Sequence, residues 1–397
     1  MDPTAARSSG VVPLTWMTAW LLLINAGCTA ETNFSQYPGF AEYFAGHPPS
    51  PSAADPRARA LLERHRPRFF LPPAHAGMID FYGDYIASGE LTGADGRMIS
   101  ARTSRAQLNL HRDDPRVEFR HRPDQGPRGT PVVYARIDRD YVRFNTDSGA
   151  IRIPFTFLTY HAVFRHSGLP AGLSAVNAFV IDLVADPDDW HQLDHYTAAT
   201  LVLADGGRPV AVMLQQHNYL HTYLVGEEIT LPPDGRLQVD VAVRSNELYP
   251  HARERRRRRA VRFTSFEGMA YLLGFGPQPL IAADDITEGA AEAEYRLDYL
   301  PPSDAFYMSQ GFLGERRLLP GRSGPPGAAY NTLPALKPLG IQLMAGYWRE
   351  GNAGDWRRWR ETREAGEAMP GFARRQSAVF HHNWRCLERR RAGCRLQ

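Results

Sequence analysis

At 397 residues the chain has room for one large domain with an appendage, or for two domains with sizeable cores. Its composition, 43% hydrophobic and 22% charged, excludes a disordered polymer, and a net charge of +3 gives no ground for a nucleic-acid partner. Nearly all the basic residues are arginine, with Lys337 the only lysine; a coding bias accounts for that as well as any ligand would.

The N-terminus reads as an address. After an opening that holds Arg7 and Asp2, an apolar run over residues 14–24 ends in Asn25-Ala26-Gly27-Cys28 and is too short to span a bilayer. This resembles a bacterial lipoprotein signal, with small residues ahead of the cysteine, although Asn25 stands where a leucine is usual and the basic region is thin. The resemblance implies removal of residues 1–27, acylation of Cys28 by a fatty acid such as palmitate, and, since Thr29 rather than Asp follows, an outer-membrane destination facing the periplasm or the surface. An ordinary secretory signal is the alternative. Cys386 and Cys394 are then the other cysteines. On a continuous helix they would lie about 12 Å apart, beyond disulfide reach, so a bridge needs a turn such as Arg391-Ala392-Gly393 could make. Spacing leaves the pairing open.

Residues 28–57, with Pro48-Pro49-Ser50-Pro51-Ser52, read as a tether. A short helix is expected over residues 56–65, and Phe69-Phe70-Leu71 opens the folded body. From there to Pro154 short strands are expected between turns such as Gly93-Ala94-Asp95-Gly96 and Asp124-Gln125-Gly126-Pro127, clearest at 132–137 and 151–158. Regular short strands point to a sandwich or a barrel-like sheet. In the apolar run 155–164, His161 reads either as a hydrogen-bonded core residue or as a ligand, and His166-Ser167-Gly168 marks a turn. Neither Ser174 nor Ser309 has the flanking glycines of a nucleophile elbow, which removes the main support for a serine hydrolase.

Residues 190–223 hold the densest chemistry. Two β-branched, apolar runs, 197–203 and 209–216, flank Asp205-Gly206-Gly207, a hairpin signal. Carrying the register outward from Leu203 opposite Pro209 sets His195 against His217 and His191 against His221, so four imidazoles and Asp194 would share one face. That number of nitrogen and oxygen donors suits Zn²⁺ or a similar divalent ion. His191-Gln192-Leu193-Asp194-His195 also has the spacing of the inverted zinc-protease motif His-x-x-Glu-His, but with Asp for Glu and in a strand rather than a helix. Ordinary histidines at a solvent-facing sheet end, among Trp190, Tyr196, Tyr219 and Tyr223, are the alternative to a site. A turn at Asp234-Gly235 and a strand over 237–243 would return Glu247 toward the same sheet end as a candidate base; a surface glutamate before a turn is the other reading.

The segment 191–196, His-Gln-Leu-Asp-His-Tyr, is similar to the His-Arg-His-Asp-Trp-Glu motif of the necrosis- and ethylene-inducing-peptide-like cytolysins, and the vacuolar protein sorting 62 family has a related motif. Gln215-Gln216-His217 resembles the family's Ser-x-His, and Arg244-Ser245-Asn246-Glu247-Leu248-Tyr249-Pro250 its Ser-His-x-x-Tyr-Pro segment; the match covers about residues 155–251. His191 and Asp194 stand where that family binds a divalent metal, whereas Tyr196 replaces its metal-binding Glu and His195 its Trp. The resemblance implies a β-sandwich with a polar face able to hold a metal.

Beyond residue 251 the arginine-rich block 253–259 reads as a solvated surface or a contact for anionic lipid. Thr264-Ser265-Phe266-Glu267 is a capping box opening a helix over 268–274, whose Met269, Leu272 and Leu273 are core packing. The remaining chain is loop-rich, with a charged helix over 353–369 that carries Trp356 and Trp359. The expectation is therefore a mostly β chain, a jelly-roll-like sandwich over 58–251 with C-terminal helices in a helical and loop-rich region 252–397, α+β overall. Two functions fit: an envelope lipoprotein using the His/Asp-lined face to bind a glycan, a lipid headgroup or an envelope partner, or a metal-dependent hydrolase in which the same cluster activates water and Glu247 is the base.

Overall fold

In the computed structural model the described residues are 55–121, 129–146, 149–164, 196–216, 219–226, 229–251, 290–301 and 304–314, with 32–33, 330–331 and isolated positions between 168 and 179. Thr32–Asn33 (β1) and Tyr330–Asn331 (β15) form a small separate pairing. The body opens with α1 (Pro56–Arg64), where Asp55 caps the helix by accepting from the Arg57 amide at 2.9 Å and Pro56 takes the first-turn position in which no amide proton is needed.

Among the described residues, twelve strands and a thirteenth in the central sheet then build the body. The twelve are β2 (Arg68–Leu71), β3 (Glu90–Thr92), β4 (Met98–Ser100), β5 (Glu118–Arg120), β6 (Val132–Thr146), β7 (Gly149–Val163), β8 (Tyr196–Leu203), β9 (Pro209–Gln216), β10 (Tyr219–Leu224), β11 (Gln238–Val241), β12 (Leu248–Pro250) and β13 (Ala291–Glu292). One more, β14 (Arg296–Tyr299), completes the central sheet, whose six strands run in the order β10-β9-β8-β7-β6-β14. All its neighbours are antiparallel except β14, which lies parallel to β6. A four-stranded sheet, β12-β11-β2-β13, and a three-stranded one, β4-β3-β5, complete the architecture. The chain is mostly β, as expected.

Alternation along the central strands sends side chains to two cores. Val133, Ala135, Ile137, Leu158, Tyr160, Leu201 and Leu214 pack against Phe69, Val239, Val241 and Leu248 of the four-stranded sheet. On the other side Tyr134, Phe157, Val202 and Met213 pack against Phe81, Tyr85, Phe119, Phe306 and Leu313. Burial on both faces explains why 197–203 and 209–216 read as continuous apolar runs instead of clean alternation.

The ladders add two features that the sequence expectations lack. The short strands expected around 132–137 and 151–158 are parts of one long hairpin, β6 and β7, 15 residues each and paired from Tyr134↔His161 to Thr146↔Gly149. The polar stretch around Asp138, Arg139 and Asp140 interrupts the apolar pattern but not the backbone ladder, which asks only for amides and carbonyls. Strands after residue 290 also join both large sheets, β13 beside β2 and β14 beside β6.

Polar contacts fasten this late segment to the early one. Asp304 caps α2 (Ala305–Met308) by accepting from the Phe306 amide at 3.0 Å. It also receives Arg105 at 2.8 Å and the Tyr82 hydroxyl in a short hydrogen bond, while Tyr85 donates to the Leu313 carbonyl at 2.6 Å. Asp80 holds the Tyr134 hydroxyl and the amides of Tyr82 and Gly83 at 2.9 and 2.8 Å. Burial, reinforced by these carboxylates, pushes the Tyr82 and Tyr134 hydroxyls well above the ordinary tyrosine range, so both remain donors.

Gly89, at the start of β3, sits so close to the Phe119 ring and the Arg120 carbonyl that any β-carbon would overlap both. Its φ of −127° suits any residue, so the clash alone decides the outcome. Gly89→Ala is expected to destabilise the protein by about 1–3 kcal/mol, read as a lower urea midpoint, as overpacking does.

Candidate functional site

The loop that joins β11 to β12 concentrates buried polar side chains. Ser245, Asn246 and Glu247 follow one another at 2%, 1% and 0% exposure. The loop is closed by the Ala242 amide donating to the Glu247 carbonyl at 2.9 Å. Asn246 takes the left-handed conformation, φ 58°, which asparagine tolerates better than most residues. Glu247 is therefore no surface glutamate. Its carboxylate accepts a short hydrogen bond from Tyr249, itself buried on β12.

Asn246 is fixed from a distant part of the chain. Its side-chain oxygen lies 2.9 Å from His75 Nε2, and the Gly77 amide donates to His75 Nδ1 at 2.9 Å. A nitrogen that accepts an amide proton carries none itself, so His75 is the neutral Nε2–H tautomer and donates to Asn246. The Phe164 ring packs edge-on at 5.2 Å and holds the imidazole plane. The loop also meets the segment after β7, where the Gly168 amide donates to the Arg244 carbonyl at 2.7 Å.

Directly across the sheet from Tyr249 stands Asp240, 5% exposed, and its carboxylate lies 2.6 Å from His251 Nδ1. The His251 ring stacks on Phe70, centroids 4.1 Å apart and planes 18° from parallel. Three polar pairs thus run along β11, β12 and their connecting loop: His75 with Asn246 and Tyr249 with Glu247 at the loop, and His251 with Asp240 toward the other end. Glu247 was legible from the sequence. His75, Asp240 and His251 were not, because His75 and Asn246 lie 171 positions apart and only the tertiary fold joins them.

A second buried polar feature crosses the central sheet. Arg136 pairs with Thr159 and Thr159 with Thr200, and the two threonine hydroxyls are joined at 3.0 Å. His161, two residues along β7 from Thr159, is fully buried, with the Phe306 ring 5.6 Å away. Burial first, then the nearby Arg136 guanidinium, lowers its pKa well below the ordinary histidine range. That environment matches a neutral core histidine.

Of the residues expected to form a metal site, His191, Asp194, His195 and His217 lie outside the described residues, as does Cys28. His221 lies in β10 and pairs with Leu214. The register from which the cluster was read changes within the hairpin. Leu203 does oppose Pro209, but a bulge between Val202 and Leu203 sets Val202 against Ala211 and Ala199 against Leu214, one residue out of step with the extrapolated pairing. The left-handed Gly206 and Gly207, both at φ 78°, shape that turn. Among the described residues no group of three or more His, Cys, Asp or Glu is placed to hold a metal ion.

Two measurements test this geometry. Tyr249→Phe removes the hydroxyl from a buried carboxylate and is expected to cost about 1–3 kcal/mol in chemical denaturation. Glu247→Gln, which keeps an acceptor for Tyr249, should cost less. For His161, the folded state holds the imidazole neutral while the unfolded chain takes up a proton below about pH 6.5, so stability should be level above that pH and fall as the pH drops through it. His161→Phe should show a shallower fall in denaturation midpoints between pH 7 and 5.

No family model matches the chain, and no match was found among curated proteins. Among solved structures it is similar to NLPPya in complex with mannosamine, at 12% identity over 55% of this chain and 75% of that one, with a TM-score of 0.24. A likeness of this size carries no argument about this chain.

Proposed function

We propose that the chain is a cell-envelope lipoprotein, anchored through Cys28, that binds a glycan, a lipid headgroup or an envelope partner at a polar face built around the Glu247 loop. His191, Asp194, His195, His217 and His221 are the further residues assigned to that face. One observation supports the reading above the others: three consecutive polar side chains, Ser245, Asn246 and Glu247, are buried in a single loop. Taking a carboxylate out of water costs several kcal/mol before its partners repay it, and apolar residues of similar size would serve stability better. A polar framework locked by Tyr249 and His75 is what a polar ligand needs from its receptor, since groups already ordered lose little freedom on binding.

The same geometry weighs against Glu247 as a base toward water. A general base must reach the proton that it takes, and this carboxylate is 0% exposed with one oxygen engaged by Tyr249. No helix among the described residues is long and apolar enough to cross a membrane, so the anchoring proposal rests on residues 14–28.

The test uses the full chain expressed in a Gram-negative host. Wild type should incorporate labelled palmitate and Cys28→Ser should not. On an array of envelope glycans and lipid headgroups, wild type should bind at least one ligand and Asn246→Ala should weaken that binding about tenfold or more. Binding indifferent to Asn246→Ala, or no palmitate in wild type, would remove the corresponding half of the proposal.

A further inference from the structure

The outer face of the four-stranded sheet carries a row that crosses all four strands: Glu292 pairs with Phe70, Phe70 with Asp240, and Asp240 with Tyr249. Alternation puts these side chains on the side opposite Phe69, Val239, Val241 and Leu248, which fill the core. His251 stands one step further along, its amide donating to the Gln238 carbonyl at 3.1 Å. Its imidazole is held in three ways: Nδ1 is 2.6 Å from Asp240, the ring lies flat on Phe70, and the backbone is tied to β11. Asp240 is nearly closed off, with 8% of its side chain exposed, whereas His251 keeps 25%. The tied edge is Nδ1, which leaves Nε2 as the ring nitrogen with no part in that contact, on a side chain that keeps a quarter of its surface.

From this geometry we propose an activity beyond ligand binding: Asp240 and His251 form a general-base dyad that hydrolyses neutral carboxylic esters. A carboxylate that accepts from Nδ1–H leaves the lone pair on Nε2 and holds the ring in one orientation. Nε2 takes a proton from a water molecule as the water oxygen adds to the ester carbonyl. The imidazolium keeps its Nδ1 proton against Asp240. The tetrahedral intermediate then collapses, the alkoxide leaves with the proton from Nε2, and the products are one carboxylic acid and one alcohol. Asp240 acts as a positioning residue throughout. Charge selects the substrate class. Arg68 reaches Asp234 at 2.7 Å and Glu292 at 3.7 Å, so its charge is already matched while Asp240 adds another negative group. Among the described residues, the charges beside the pair are therefore negative in excess, which disfavours an anionic phosphoester there relative to an uncharged ester beside the Phe70 ring.

The experiment measures hydrolysis of p-nitrophenyl acetate by the full chain. His251→Ala is expected to lower kcat/KM by roughly a hundredfold, and added imidazole to restore part of the rate. Asp240→Asn should lower kcat about tenfold or more while leaving KM unchanged, a split that loss of structure would not produce. Wild type no faster than His251→Ala, or a variant that imidazole does not rescue, overturns the proposal. Should the variants fail to fold, wild-type protein is treated with diethyl pyrocarbonate and the adducts mapped. Modification of His251 ahead of His75, whose two nitrogens are both engaged, supports the dyad, and an unmodified His251 overturns it. Glycan binding that persists in His251→Ala separates this activity from the Glu247 loop.

Discussion

The central sheet must be covered twice. Its strands are apolar on both faces, so neither face can be left to water, and the remainder of the described body consists of what covers them: Phe69, Val239 and Leu248 on one side, Phe81, Phe119 and Phe306 on the other. That demand brings together segments from both ends of the body, residues 68–120 and 290–313, around a hairpin from its middle. It also sets where polar chemistry can stand. Within the covered sheet, polar groups persist only in company, as Thr159 and Thr200 do. At the end of the smaller sheet the loop 242–247 holds three polar side chains in succession, and they too are buried.

Asn246 and Glu247 in that loop, and Asp240 beside it on β11, each have their orientation set by another segment of the chain. Asn246 answers to His75 in the segment after β2, Glu247 to Tyr249 on β12, and Asp240 on β11 to His251. Such a network costs free energy to bury and returns it as fixed geometry, which suits recognition of a polar ligand or control of a proton. The His251 pair joins a nearly closed-off carboxylate to an imidazole that keeps a quarter of its surface exposed.

What could be read from the sequence depended on whether its cause was local. Asp55 before Pro56 announces α1, and Asp205-Gly206-Gly207 between two β-branched runs announces the β8–β9 hairpin; both are present. The length of β6 and β7 was hidden, because charged residues at 138–140 disguise a ladder that depends on the backbone alone. The bulge at Val202/Leu203 was hidden for a related reason: a turn sequence gives the identity of its residues but not the number that the opposing strand absorbs. In the candidate site, the spacing of Asp234-Gly235 and Glu247 pointed to the right residue, while its complete burial depends on partners that no local pattern names.

The parallel pairing of β14 with β6 bears on how the chain reaches this state. Val132–Ala135 forms one edge of the growing sheet, and its partner, Arg296–Tyr299, is made only after every other strand of that sheet. Until then the edge offers unpaired amides and carbonyls beside an apolar stretch, a template on which a second chain could dock. Closing so distant a contact is slow relative to local hairpins. Maturation of this protein is therefore a race between intramolecular closure by β14 and intermolecular strand addition, and crowding of nascent chains weights the second.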